Sequence, residues 1–152
     1  MTLVEYGDFE CPYCGQAHLI LRAIEQQLGD QICFVFRHFP LTNLHPNAEH
    51  ASEAAEAAGV QNRFWEMHDM LFENQDALAD EDLISYAAEL GLDTRRVANE
   101  IISGAHAGHI REDFVSGVRS DVNGTPSFFI NGMRYDGDLD IDALMEAIET
   151  QM

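Results

Sequence analysis

Two cysteines separated by two residues, Cys11 and Cys14, follow directly on a short strand-forming run and open a stretch of helical periodicity. No other feature of the 152-residue chain constrains its fold as much. Cysteines on the first turn of a helix bring their sulfurs within disulfide reach, and the free N–H groups there favour a thiolate. Pro12 suits the first helical position, where its missing N–H costs nothing and its fixed φ stiffens the bend. Cys11 is the expected attacking thiol. Cys14, one turn further in, is expected to resolve a mixed disulfide by attacking the Cys11 sulfur.

The competing chemistry for such a pair is half of a structural zinc site, which needs four ligands. The third cysteine, Cys33, lies in the apolar run ICFVF, where a buried thiol is expected to behave as a small hydrophobe, so no four-cysteine site closes within one chain. His18 lies four residues after Cys14, but a histidine on a helix face is more often packing or surface. His106 and His109 have helical spacing with no carboxylate or cysteine motif converging on them, and are expected at the surface. No metal site is expected. Trp65, Met67 and Met70 read as helical core or as the lining of a groove.

Periodicity then orders the chain. Thr2 to Tyr6 reads as a strand, and Ala17, Ile20, Leu21, Ile24 and Leu28 recur at helical spacing before Gly29. Ile32 to Phe36 reads as a strand covered on both faces, completing a parallel βαβ unit. From Pro46 to about Asp121 five helices are expected: Ala48 to Gly59, a second after Asn62 as cap, a third between Asp80 and Gly91, a fourth from Asp93, and a fifth carrying Ile110, Phe114 and Val118. Strand signals return at Ser127 to Ile130 and Met133 to Tyr135 around the turn Asn131-Gly132. Asp140 caps a last helix with Ile141, Leu144 and Ile148 inward. The expected class is α/β, a thioredoxin-like order of βαβ then ββα over residues 1–42 and 122–152, interrupted by an all-helical insertion over about 43–121.

Charge narrows the partners. The 27 acidic residues face 8 basic ones, all arginine, for a net −19. A phosphate backbone needs a cationic surface, so nucleic acid is not an expected partner. The acidity reads either as a solvation shell suited to high salt or as an ordinary acidic surface. No apolar run approaches the roughly 18 residues of a membrane span and none resembles a signal peptide, so the chain as written is expected in the cytoplasm. A leader or domain before Met1 would instead place it outside.

The run LVEYGDFECPYCGQAH, followed by FVFRHFPL, EAAEAAG, FWEMHDMLFENQ and GTPSFFING, resembles the DsbA-like branch of the thioredoxin superfamily over nearly the whole chain. The resemblance implies a thiol–disulfide oxidoreductase with no cofactor, acting as a monomer on protein thiols or disulfides together with a redox partner. It implies that Thr125-Pro126 forms a cis bond facing the cysteines. Pro12, Tyr13, Thr125 and Pro126 would then hold substrate. Tyr13 stands where strongly oxidising members usually carry histidine, so a less oxidising couple is expected, with oxidase, reductase and isomerase directions all open. Glu5 lies six positions before Cys11, where related proteins keep a buried acid. On a covered strand its pKa should rise, fitting it to exchange a proton with Cys14. A different class of reading is a non-catalytic thioredoxin-like interaction or metal-sensing module whose cysteines bind without turning over.

Overall fold

The computed structural model describes residues 1–152. Thr2–Gly7 forms strand β1, Pro12–Leu28 helix α1, and Cys33–His38 strand β2. Five helices follow: Ala48–Val60 (α2), Phe64–Glu73 (α3), Asp80–Glu89 (α4), Thr94–Ser103 (α5) and Ala107–Arg119 (α6). The chain closes with Ser127–Ile130 (β3), Met133–Tyr135 (β4) and Ile141–Thr150 (α7). The four strands form one sheet in the order β2-β1-β3-β4, with β1 parallel to β2 and antiparallel to β3.

Alternation along β1 sorts its side chains to the two faces of the sheet. Leu3 and Glu5 point one way. There Leu3 joins Ala17, Leu21 and Ile24 of α1 and Leu144 and Ile148 of α7 in one buried cluster. Tyr6 points the other way, onto Phe39 and Val122, with Phe114 of α6 packed against them. A Cβ on Gly117 would lie 2.8 Å from the Phe39 ring, so glycine lets α6 lie close on this face. The insertion has its own core, in which Ala51, Ala54, Ala55, Ala57 and Ala58 of α2 are all fully buried, and this core runs on to Phe9, Phe36 and the two cysteines. Residues this small let α3 and α5 approach the α2 backbone closely.

Several local expectations need correction. The strand after α1 runs from Cys33 to His38 and lies at the sheet edge, and Cys33, at its start, is exposed and not a buried small hydrophobe. Strand order depends on partners far away in sequence, which an apolar run does not disclose. Asn62 does not cap α3; it takes a left-handed φ of 66° in the preceding turn, and Arg63 occupies the cap position. Gly59 does not end α2, which continues to Val60, and Val118 of α6 is exposed.

Candidate active site

The end of β1 and the start of α1 bring Cys11 and Cys14 together. Cys11 is the N-cap residue of α1 in extended conformation, and Pro12 holds the first helical position. Both cysteines are free thiols, Cys14 with no exposure and Cys11 with 5%. Their surroundings differ. The Cys11 sulfur receives a hydrogen bond from the Cys14 thiol, which, with the donors that the Thr125 side chain and the N–H groups of Cys14 and Tyr13 offer to the thiolate, lowers its pKa to about 5 against the opposing effect of burial. Burial pushes the Cys14 thiol well above its usual value, helped by its donation to Cys11 and by the nearby Glu5 carboxylate. The one backbone donor to Cys14 is the Asp8 N–H at 3.5 Å.

Glu5 lies beneath the pair on the α1 face of the sheet. Its register neighbours are Phe36 on β2 and Phe128 on β3, so it is walled by aromatic rings on either side. It is 1% exposed and its Oε2 atom has no hydrogen-bond partner. Burial, with the charge of Cys11 adding to it, raises its pKa to about 8. Gly7 makes the room, since a Cβ there would lie 2.9 Å from Glu5 Oε2 and 2.5 Å from the Phe36 ring.

From the far end of the chain, the loop before β3 closes over Cys11. The Thr125-Pro126 bond is cis, as expected from the sequence, and the Cys11 thiol lies 3.6 Å from the Thr125 carbonyl oxygen. The Thr125 hydroxyl is buried and has no partner beside the neutral thiols. It is thus free to donate to a Cys11 thiolate. Next to the pair, a cavity of about 230 Å³ is lined by Tyr13, Thr125, Pro126, Phe128 and Tyr135, and Tyr13 is 62% exposed at its rim.

Comparison with known proteins agrees with the fold. The family model described as Thioredoxin matches residues 1–150. BdbD from Bacillus subtilis superposes with a TM-score of 0.90 over 99% of this chain and 86% of that one, at 22% identity. A thioredoxin-like oxidoreductase from Silicibacter pomeroyi gives 0.86 over 98% and 84%, at 26% identity, and alpha-DsbA2 from Wolbachia pipientis gives 0.85 over 99% and 81%, at 18%. The chain belongs to the thioredoxin family. Among curated relatives it is 47% identical over 150 residues to Na(+)/H(+) antiporter NhaA 3 of Salinispora tropica and 48% identical over 148 residues to NhaA 1 of Salinispora arenicola. It covers 97% of itself but 22% of each of them, so it spans about a fifth of these relatives' length.

The thioredoxin scaffold adds residues that sequence reasoning missed. Asp8, with no exposure, gathers the loop around the cysteines: one carboxylate oxygen accepts the Glu10 N–H at 2.8 Å, and the other accepts the Leu41 N–H at 2.9 Å and pairs with His45 Nδ1 at 2.7 Å. Glu10 in turn accepts the backbone and side-chain N–H groups of Asn47, each at 2.9 Å. Gln75, between α3 and α4, donates from Nε2 to the carbonyls of Phe9 at 3.0 Å and Cys11 at 2.8 Å. A Cβ on Gly15 would lie 2.3 Å from Gln75 Oε1, so this glycine admits the amide against the helix. An Asp immediately past a strand, or a Gln in an inter-helix turn, has no periodicity to mark it.

Other candidates sit elsewhere. His18 is buried, packs on Phe72 and lies 3.3 Å from Glu73, so it serves the packing and not the cysteines. Met67 is fully buried, and Trp65 is half-exposed against Phe34 and Phe64. His106 pairs with Glu100, whereas His109 is half-exposed beside two carboxylates, which corrects the expectation that none converges there.

Proposed function

We propose that this chain exchanges disulfides with protein thiols through Cys11 and Cys14, with Glu5 as the proton acceptor and donor for Cys14. The observation that carries this reading is the opposite ionisation of the two sulfurs, Cys11 drawn down to about 5 and Cys14 pushed up by burial, with a carboxyl near 8 between them and the sheet. In the reducing direction the Cys11 thiolate attacks a substrate disulfide, forming a mixed disulfide and releasing one substrate thiolate. Glu5 takes the Cys14 proton, the Cys14 thiolate attacks Cys11 Sγ, and the second substrate thiolate leaves. The oxidising direction is the reverse: a substrate thiolate opens the Cys11–Cys14 disulfide at Cys11, Cys14 leaves and is protonated from Glu5, and a second substrate thiolate displaces Cys11. Thr125 and Pro126 would lie along an extended substrate segment, with Tyr13 on its other side.

Two measurements on the Cys33→Ser protein, which leaves only the pair to titrate, test the reading. Thiolate absorbance against pH should show one ionisation near pH 5 and none other before the range above that of an ordinary thiol. Insulin reduction by dithiothreitol should accelerate. A first ionisation at or above about 8.5, the value of a free thiol, together with no acceleration, would remove the proposal.

The antiporter name of the relatives belongs to proteins of which this chain matches about a fifth. No helix here is long and apolar enough to cross a membrane. We infer that the shared segment is a redox unit and that a membrane transporter is among its partners. Mixed-disulfide trapping by Cys14→Ser in membranes containing such a transporter tests this, and an untrapped transporter would separate the two.

A further inference from the structure

We propose that His38, Glu56, His109 and Asp113 form a binding site for a zinc-class divalent cation that ties the sheet to the helical insertion. The four side chains come from three elements. His38 ends β2, Glu56 lies on α2, and His109 and Asp113 stand one turn apart on α6. His38 Nε2 is 2.8 Å from Glu56 Oε2, while His109 Nε2 is 3.6 Å from Glu56 Oε1 and 3.7 Å from Asp113 Oδ2. Ligand atoms of His38, His109 and Asp113 all lie within 4.8 Å of one another. Donors bound to a tetrahedral zinc at about 2.0–2.2 Å stand roughly 3.3–3.6 Å apart, close to the 3.6 and 3.7 Å separations from His109, while Glu56 meets His38 and His109 through different oxygens.

The donor chemistry selects the metal. Two imidazoles and two carboxylates suit zinc and its first-row neighbours, whereas calcium takes six to eight oxygens. The backbone N–H of His38 donates to Asp113 Oδ2 at 3.0 Å, fixing that carboxylate as an outer-shell partner would. His38 is 1% exposed, and the half-exposed His109 leaves a path for entry from solvent.

The other histidine cluster makes the contrast. His18, His68 and Asp69 also share ligand spacing. There Arg22 NH1 already lies 3.3 Å from Asp69 and 3.7 Å from Glu73, so a cationic side chain occupies the carboxylates that a metal would need. No arginine pairs with Glu56 or Asp113.

The test uses the chain with the Cys11–Cys14 disulfide formed and Cys33 alkylated, so that no thiolate can bind metal, after dialysis against a chelator. Titration with Zn²⁺ by calorimetry, and with Co²⁺ by its visible absorbance, should give one equivalent bound with a tetrahedral cobalt spectrum. Zinc should also raise the melting temperature. His109→Ala, at a half-exposed position, should keep the fold and disulfide exchange while weakening zinc at least about tenfold, and Asp113→Asn should do the same. Asp69→Asn should leave binding unchanged. No stoichiometric binding, full affinity retained in His109→Ala, loss of binding in Asp69→Asn, or equal competition by Ca²⁺ would each overturn the site.

Discussion

Cys11 and Cys14 stand three residues apart on one helical turn, yet the regions around them are built on opposite principles. Around Cys11 the chain ends a helix and a loop: the N–H groups of Tyr13 and Cys14, the Cys14 thiol and the Thr125 side chain all offer protons to one sulfur. Around Cys14 it offers little, with full burial, the Glu5 carboxyl below and a single long hydrogen bond from Asp8. Burial raises both thiols; at Cys11 the supply of donors outweighs it, and at Cys14, which is more deeply buried and donates its proton to Cys11, it prevails.

Removing one sulfur at a time breaks this comparison most severely. Cys11→Ser should reduce exchange to background and trap no substrate. Cys14→Ser should accumulate mixed disulfides on Cys11, because the intermediate loses its escape route. Non-reducing electrophoresis after incubation with a reduced or disulfide-bonded protein reads both. Equal trapping by the two variants would show that the sulfurs are interchangeable and that the asymmetry has no part in turnover.

Glu5 sharpens the comparison from below. Between pH 4.5 and about 8 the folded chain keeps a proton on Glu5 that the unfolded chain has lost. The unfolded state then binds fewer protons, so this residue's contribution to stability falls as pH rises through that window. The full shift corresponds to roughly 5 kcal/mol at its upper end, as an order of magnitude. Cys11 slopes the opposite way, its stabilisation growing from about pH 5 toward 9. Denaturant unfolding of Glu5→Gln beside wild type isolates the first slope, and the variant should gain relative stability steadily from pH 5 to 8. Its resolution step at pH 7 should slow by about a hundredfold, the lower end of general acid–base contributions. A pH-independent difference in stability would mean that Glu5 does not titrate in this range.

Much of this region was legible in the sequence, because its signals are local. A two-residue spacing and a proline at the first helical position place both sulfurs without any distant partner, and Glu5 was legible through its position six residues before Cys11 in the DsbA-like resemblance. Thr125-Pro126 was legible through the resemblance of GTPSFFING to DsbA-like chains, whereas its reach to Cys11 spans 114 residues of sequence. What was not legible depends on such long reaches. The edge position of β2, and with it the exposure of Cys33, follows from β1 pairing with β3. The Asp8–His45 and Gln75–Cys11 contacts join loops with no period, and the carboxylates around His109 come partly from another helix.

Asp8 holds the frame common to both thiols. Asp8→Asn keeps the size of the side chain but replaces one carboxylate oxygen with an amide donor facing either the Glu10 N–H or the Leu41 N–H and His45. Loss of one buried acceptor costs about 1–3 kcal/mol. The melting temperature should drop accordingly, and the ordered relation of loop 39–47 to the cysteines should loosen. Amide exchange at Leu41 and Glu10 is the direct readout, and unchanged protection at both would show that Asp8 does not brace them.

The smallest effect tests whether the insertion positions Cys11 at all. Gln75 reaches from the turn after α3 to the carbonyls of Phe9 and Cys11, and it can do so because residue 15 has no side chain. Gly15→Ala therefore combines two opposed terms. Within a helix, alanine is favoured over glycine by about 0.5–1 kcal/mol. Its Cβ would also meet Gln75 Oε1 at 2.3 Å, displacing the amide and its two hydrogen bonds, each worth about 0.5–1.5 kcal/mol net. In wild type the second term should win or cancel the first, so Gly15→Ala is neutral to destabilising. In a Gln75→Ala background only the first remains, and the same substitution should stabilise by up to about 1 kcal/mol. The coupling between the two sites is read by a double-mutant cycle in urea. If Gly15→Ala has the same effect in both backgrounds, Gln75 does not rest on the helix, and the insertion influences Cys11 only through the packing of Phe9 on Phe36 and Phe72.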